Sequence, residues 1–345
     1  MLDSLQNTPL DFELNKQLFE LRVPNYQALT PSARDKMRRE NAKLCGILDA
    51  KIARPFSFSL ESFYFLLQFL STHYKVALAL SSHNLLYKAY LLLENKENII
   101  PLVPDFTLGV ITESQAQKAV ESGADCFIIP YLNEDILTKN PLEFLPKNAL
   151  NIVDLSYAFA LNLPLEIPQR VADIVLINGE NLGIMRPFGI LASKQDGFFG
   201  IPSVYLEIEN LYSVFYQAIL KAQKKRQDRI PQDLAKDFYN ILKASLKDDC
   251  YYFYQTPANT LSLGLKGIKA RDLIQSLIFE QISVINGQSC LFGFFEPSFV
   301  LKLMGYDETQ QRELLSLSFI DITPSLIPQI AQKVAQKYLQ ILSLN

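Results

Sequence analysis

Asp173-Ile174-Val175-Leu176-Ile177-Asn178-Gly179-Glu180-Asn181-Leu182-Gly183-Ile184-Met185-Arg186-Pro187-Phe188-Gly189-Ile190-Leu191-Ala192-Ser193-Lys194 decides how the chain is read. An apolar run ends in an Asn-Gly pair, a Pro and a Gly follow, and a second apolar run begins. The stretch therefore predicts two short buried strands joined by a tight polar loop. Loops held by such strands commonly carry function. Upstream, Leu150-Asn151-Ile152-Val153-Asp154-Leu155-Ser156-Tyr157-Ala158 repeats the arrangement, a strand with one carboxylate at its end.

Working outward, Val76 to Leu80 reads as a strand that ends in the polar turn Ser81-Ser82-His83, and a helix to about Glu94 follows. Ile99 to Asp105, a helix from Glu113 to Ser122 and the run Ala124 to Pro130 give a further strand, helix, strand unit. Alternation of this kind predicts a mainly parallel sheet covered by helices, with ligand sites outside the carboxyl ends of its strands. Later in the chain, Phe238 to Leu246 reads as a helix, Cys250 to Tyr254 as a strand, and Ala270 to Phe279 as an amphipathic helix. The closing helix, to Leu344, has the same amphipathic period.

A chain of 345 residues, 49% of them hydrophobic, is long enough to bury one large core and a smaller one. Its 33 basic and 36 acidic residues leave a net charge of −3, so there is no electrostatic footprint for nucleic acid or an anionic membrane. No apolar run approaches the ~18 residues of a membrane span. Cys45, Cys126, Cys250 and Cys290 form no C-x-x-C pair, and the N-terminus lacks the stages of a signal peptide, so a reduced, cytoplasmic protein is expected. With only His73 and His83 available, no His-based metal site is expected. The basic run Lys221 to Arg226 reads as a solvated helix face.

The Asp154 and Asn178 segments together resemble the cofactor-binding core of the class V aminotransferases and, within them, the NifS-like cysteine desulfurases. The resemblance implies an α/β protein of the fold-type I class of pyridoxal-phosphate (PLP) enzymes. A large domain over residues 25–215 would hold the mainly parallel sheet, and residues 1–24 and 216–345 would form a smaller α+β domain. In the family, V-D-A-x-Q-S places an Asp against the pyridine nitrogen, and S-G-H-K supplies the lysine that forms the Schiff base. Asp154 keeps the first of these. The Gln falls on Tyr157, the Ser on Asn178, the His on Glu180 and the lysine on Asn181.

Other segments continue the likeness. Pro24 to Pro31, around Tyr26 and Thr30, resembles the family's opening turn, and Thr30 or Ser32 is a candidate cap for the helix that follows. Ser59-Leu60-Glu61-Ser62 takes the place of the phosphate-cradling S-G-x-T-E-[AS] loop; Ser59 can donate a hydroxyl, but Leu60 replaces the Thr. His83 matches the histidine that stacks on the cofactor ring. Tyr131-Leu132-Asn133-Glu134 replaces H-V-N-N, keeping Asn133 and putting Glu134 where the cofactor-facing Asn belongs. Ile201 replaces a second phosphate-binding Thr. Cys290, ahead of Glu296-Pro297-Ser298, falls on the sulfur nucleophile, and Leu315 on the arginine that captures the substrate carboxylate.

Five losses therefore converge on one pocket: the lysine, the His just before it, the Arg and both phosphate Thr residues. Asparagine cannot form a Schiff base, and Glu180 sets negative charge beside a dianionic phosphate. The sequence is read as a catalytically degenerate desulfurase homologue that binds no cofactor. It would act as a binding or regulatory partner, as a homodimer and alongside a sulfur-acceptor or desulfurase protein. The alternatives are an active PLP enzyme, with Lys194 as the nearest lysine, and pyridoxamine-phosphate chemistry, which needs no lysine but does need a phosphate cup.

Overall fold

A computed structural model describes residues 9–20, 31–161, 163–195, 210–227, 233–287, 296–319 and 322–344. Its larger sheet holds β1 (Ile52–Ser57), β2 (Val76–Ala79), β3 (Ile99–Leu102), β4 (Cys126–Pro130), β5 (Leu150–Asp154), β6 (Ile174–Asn178) and β7 (Phe188–Ser193). The spatial order is β1-β7-β6-β5-β4-β2-β3, parallel throughout except that β7 runs antiparallel to both its neighbours. The two predicted strands of the Asn178 stretch are β6 and β7. They pair with Asn178 opposite Gly189 and Ile174 opposite Ser193.

The central strands are buried along their whole length, as expected where helices cover both faces. Alternation along β4 divides the core. Phe127 and Ile129 face one layer with Leu44, Val153 and Phe215, whereas Cys126 and Ile128 face the other with Phe63, Leu66 and Ile174.

The covering helices are α1 (Phe12–Phe19), α2 (Pro31–Leu48), α3 (Leu60–His73), α4 (Asn84–Leu92), α5 (Glu113–Glu121), α6 (Ser156–Ala160), α7 (Glu166–Val171) and α8 (Leu211–Gln227). Local chemistry fixes several starts. Pro31 opens α2, Ser59 Oγ caps α3 by accepting from the Ser62 amide, and Thr112 with Gln115 forms a capping box on α5.

A second, antiparallel sheet has the order β10-β9-β8, from Leu314–Ser318, Thr260–Leu265 and Cys250–Tyr254. It packs with α9 (Leu234–Leu246), α10 (Ala270–Ile278) and α13 (Ile327–Leu342) around Phe238, Leu273, Leu317 and Tyr338. Two short helices, α11 (Phe299–Leu303) and α12 (Glu308–Glu313), precede β10.

Two main apolar cores lie one on each sheet. Leu14 and Leu18 of α1, and Phe215, Ala218 and Ile219 of α8, belong to the core of the larger sheet. Residues 9–20 are tied there by Asp11 N–H to Gly183 O at 2.9 Å and Asn15 Nδ2 to Gly183 O at 2.8 Å. Among the described residues the smaller core begins at Leu234. The reason is packing: α8 continues its apolar stripe against α1 and α2 well past residue 215.

Candidate functional site

The chain runs outward from β2 to β3 and then returns to the other side of β2 as β4, so the sheet has a topological switch point between β2 and β4. Ligands of open α/β sheets sit outside the carboxyl ends of the strands at such a point. Five of the sequence-predicted residues lie along that edge: His83 after β2, Asn133 after β4, Asp154 at the end of β5, Tyr157 just beyond it, and Asn178 at the end of β6. Glu180 and Asn181 follow in a short 3-10 turn, Gly179–Leu182, packed against α6. Ser59 caps α3 beyond β1, which ends on the same edge.

Asp154 is buried, and its Oδ1 accepts from Ser156 N–H at 2.9 Å and from Ser156 Oγ at 2.5 Å. The same Ser156 hydroxyl receives the Asn178 amide at 2.8 Å, which clamps the ends of β5 and β6 together. Burial pushes the Asp154 carboxyl up to about 6, although the Ser156 bonds act to lower it. Glu134 is raised well above the usual carboxylate range, first by burial and then by the charges of Asp154, Asp135 and Glu180.

Tyr157 packs its ring with Leu132, Leu137 and Leu161. Its hydroxyl is buried without a hydrogen-bond partner and is raised well above its usual range by burial and by Glu134, Asp135, Glu180 and Asp154. Asn133 is buried too. Its Oδ1 takes the amides of Asp135 at 3.0 Å and Ile136 at 3.3 Å, while its Nδ2 has no partner. Asn178 spends its Oδ1 on the Glu180 amide at 3.1 Å. Asn181 is buried. On the rim, Glu180 binds Arg186 through both carboxylate oxygens.

His83 caps α4, its Nδ1 accepting from the Leu85 amide at 3.2 Å. Phe58 and Phe63 lie against its ring, with centroids at 5.4 and 5.5 Å. Burial, then the nearby Arg186 charge, lowers it to about 3, so it is neutral at physiological pH. Ser59 Oγ is engaged with the Ser62 amide and hydroxyl, both at 3.3 Å.

Two further residues are placed by the registers of their sheets. Lys194 follows β7, whose last residue pairs with the first of β6. Its Nζ binds Gln169 O and lies 3.4 Å from Asp49, at the amino edge of the sheet and opposite Asp154. Leu315 points into the core of the smaller domain, whereas its neighbour Ser316 faces the larger one and donates to the Asp135 carbonyl. Cys290, Ile201, Tyr26 and Thr30 lie outside the described residues.

Sequence reasoning missed Ser156 and Asp135. Asp135 is fully buried in the turn after β4 and accepts from Ser298 Oγ at 2.7 Å, the residue that caps α11. A Cβ on Gly287 would come within 2.8 Å of the same carboxylate, and Gly287 has φ +65°. The Asp135 side chain thus latches the larger domain to Ser298 and sits close over Gly287. Consecutive acids directly after an apolar strand were the signal available for it. Among the described residues there is no grouping of His, Cys, Asp and Glu able to hold a metal ion, and no helix is long and apolar enough to cross a membrane.

No protein-family model and no curated protein matches the sequence. Solved structures do match over the full chain. A NifS-like protein aligns with a TM-score of 0.74 at 16% identity, covering 100% of this chain and 99% of its own. A NifS-like protein from Rickettsia africae aligns at 0.70 and 15% identity, covering 99% of each chain. A cysteine desulfurase from Thermococcus onnurineus aligns at 0.75 and 14% identity, covering 98% of this chain and 94% of its own. At these identities the likeness is one of architecture: the chain has the α/β fold of the NifS-like proteins and cysteine desulfurases.

Proposed function

We propose that this protein is a catalytically degenerate homologue of the cysteine desulfurases that binds no PLP and serves as a binding or regulatory partner. The observation that carries the reading is the charge of the pocket. Every charge that bears on Glu134 is another carboxylate, from Asp154, Asp135 or Glu180. Two like unit charges about 5 Å apart repel by roughly 3 kcal/mol at an effective dielectric near 20, and a phosphate would bring two more negative charges.

The donor set agrees with this. Asn181 cannot condense with an aldehyde, Lys194 is held at the opposite edge of the sheet, and the hydroxyl and amide at the start of α3 are already engaged with each other. Phe58 and Phe63 lie against His83, the ring on which a pyridine would stack. These residues do not fit a phosphorylated pyridine, whether as aldehyde or as amine. Asp154, His83 and Asn133 are what remains of the cofactor set, and Asp154 is buried and bound to Ser156.

The test is direct. Purified protein is expected to be colourless, and PLP followed by borohydride is expected to leave no adduct on a unique lysine. A stable yellow species mapping to one lysine would overturn the proposal in favour of an active enzyme. The partner role carries a second expectation, a homodimer at micromolar concentration in sedimentation velocity; a monomer there counts against it. A desulfurase or a sulfur-acceptor protein is the class of second partner the fold suggests, and co-sedimentation with either is the corresponding assay.

A further inference from the structure

Helix α2 carries five cations, Arg34, Lys36, Arg38, Arg39 and Lys43, against two acids, Asp35 and Glu40, in a chain whose net charge is −3. Their placement works against the helix. No acid stands in the first turn, Arg34 lies there at the positive end of the helix dipole, and Arg38 follows at i+4 on the same face, where like charges repel. Both arginines are exposed, so packing does not account for them. Positions that break local rules in this way are where function is to be sought.

The two arginines open onto a groove of about 390 Å³ between α2, the start of β1 and α8. Lys51 lines it from the strand side, while Met37, Ile52 and Tyr212 supply apolar surface, Met37 and Tyr212 being buried at its base. No carboxylate lines it among the described residues. Asp35 stands 3.8 Å from Arg38, but both side chains are largely in solvent and the pair is screened. The walls are held in place. Asn41 Nδ2 donates to the Ala53 carbonyl at 2.7 Å and its Oδ1 accepts from the Ala53 amide at 3.3 Å, which binds α2 to β1. Lys36 Nζ donates to Asn210 Oδ1 at 2.8 Å, just ahead of α8. Since Ile52 pairs with Ser193, and Ser193 with Ile174 at the start of β6, the groove lies at the amino edge of the sheet, opposite Asp154.

We infer that this groove binds a small organic dianion, a phosphate monoester or a dicarboxylate carried on a compact apolar body. The inference does not depend on the preceding reading. Chemistry selects the class. Guanidinium groups meet phosphate or carboxylate through paired N–H donors, and three cations with no opposing carboxylate favour a doubly charged head over a single one. The buried methionine and tyrosine give the rest of the ligand a surface to cover. The volume is that of a small-molecule site, and three cations around one groove do not make the extended track a nucleic acid follows.

Calorimetry on the full chain at constant ionic strength compares phenyl phosphate and phenylsuccinate, which have both head and body, with inorganic phosphate, which has a head alone, and benzyl alcohol, which has a body alone. The better of the first two is expected to bind at least tenfold more tightly than inorganic phosphate, with benzyl alcohol inactive, and it identifies the head. Arg34→Gln and Arg38→Gln are each expected to weaken that binding about threefold to fivefold, the scale of one solvent-accessible ion pair, and at least tenfold together. Both variants are expected to melt at or slightly above the parent, because each removes an unfavourable helix charge. Lys43→Gln, on the same helix but outside the groove and paired with Glu40 at 2.8 Å, is expected to leave binding unchanged. Failure of both head-and-body probes to bind overturns the inference, as does equally tight binding of inorganic phosphate, or an equal loss in Lys43→Gln and the arginine variants. Tighter binding of a polyglutamate peptide than of either small probe overturns it in favour of an acidic protein as the occupant.

Discussion

Asp154→Asn is expected to make the protein more stable at neutral pH. In the fold the carboxyl is raised from 3.8 to about 6 by burial, so the folded state holds its proton more tightly than the unfolded chain. For an acid displaced in that direction, stability is greatest below the unfolded value and falls as pH rises toward 6. The full displacement is worth about 3 kcal/mol above pH 7, at about 1.4 kcal/mol per pH unit. Asparagine keeps an oxygen for the Ser156 amide and hydroxyl but loses the charge that strengthens those bonds, so a net gain of about 1–3 kcal/mol is expected. That corresponds to a melting temperature higher by roughly 3–9 °C for a domain of this size. The gain must shrink to about 1 kcal/mol or less at pH 4.5, where the carboxyl is largely protonated in the folded state. Thermal and urea melts of both proteins at pH 7.5 and 4.5 give the comparison, and titration of groups other than Glu134 and Tyr157, which feel the Asp154 charge, cancels in the difference. A loss of stability at pH 7.5, or a gain that does not change with pH, refutes the argument.

Three further outcomes follow from the same geometry. His83, lowered to about 3, is neutral in the fold and charged in the unfolded chain, so stability is lost as pH falls from 6.5 toward 3. His83→Gln should remove about 2 kcal/mol of the loss seen between pH 6.5 and 4.5 in urea titrations; an unchanged slope contradicts the burial account. Asp135→Ala strips the Ser298 hydroxyl of its buried acceptor and should cost about 2–3 kcal/mol, while Gly287→Ala, with φ +65° and its Cβ 2.8 Å from Asp135 Oδ2, should cost about 1–3 kcal/mol. If either melts like the parent, the latch does not hold the domains. Glu180→Gln, by contrast, breaks a rim ion pair whose arginine side chain is 44% exposed, and should change stability by less than about 1 kcal/mol; a larger loss would mean the pair is not a solvated one.

The order of elements was legible in the sequence because each rests on local physics. Continuous apolar runs become fully buried parallel strands, the Asn-Gly punctuation after Ile177 becomes a turn, and Thr112 with Gln115 caps its helix whatever surrounds it. The carboxyl-edge placement of His83, Asn133, Asp154 and Asn178 followed from the same alternation, since each ends a strand of one parallel sheet. Only the tertiary structure decided what those residues do there. Burial, which no local pattern encodes, sets Asp154 near 6, silences His83 and raises Glu134 well above the usual carboxylate range. Which core claims a helix is equally non-local: α1 and α8 join the larger sheet because their apolar stripes meet each other and α2 across some two hundred residues of chain, a separation over which sequence periodicity carries no information. The antiparallel turn-back of β7 sends Lys194 to the far edge of the sheet, and the register of β10 turns Leu315 into a core and Ser316 toward Asp135. A shift of one residue along a strand reverses the face a side chain sees, so such placements are fixed only when the sheet is assembled.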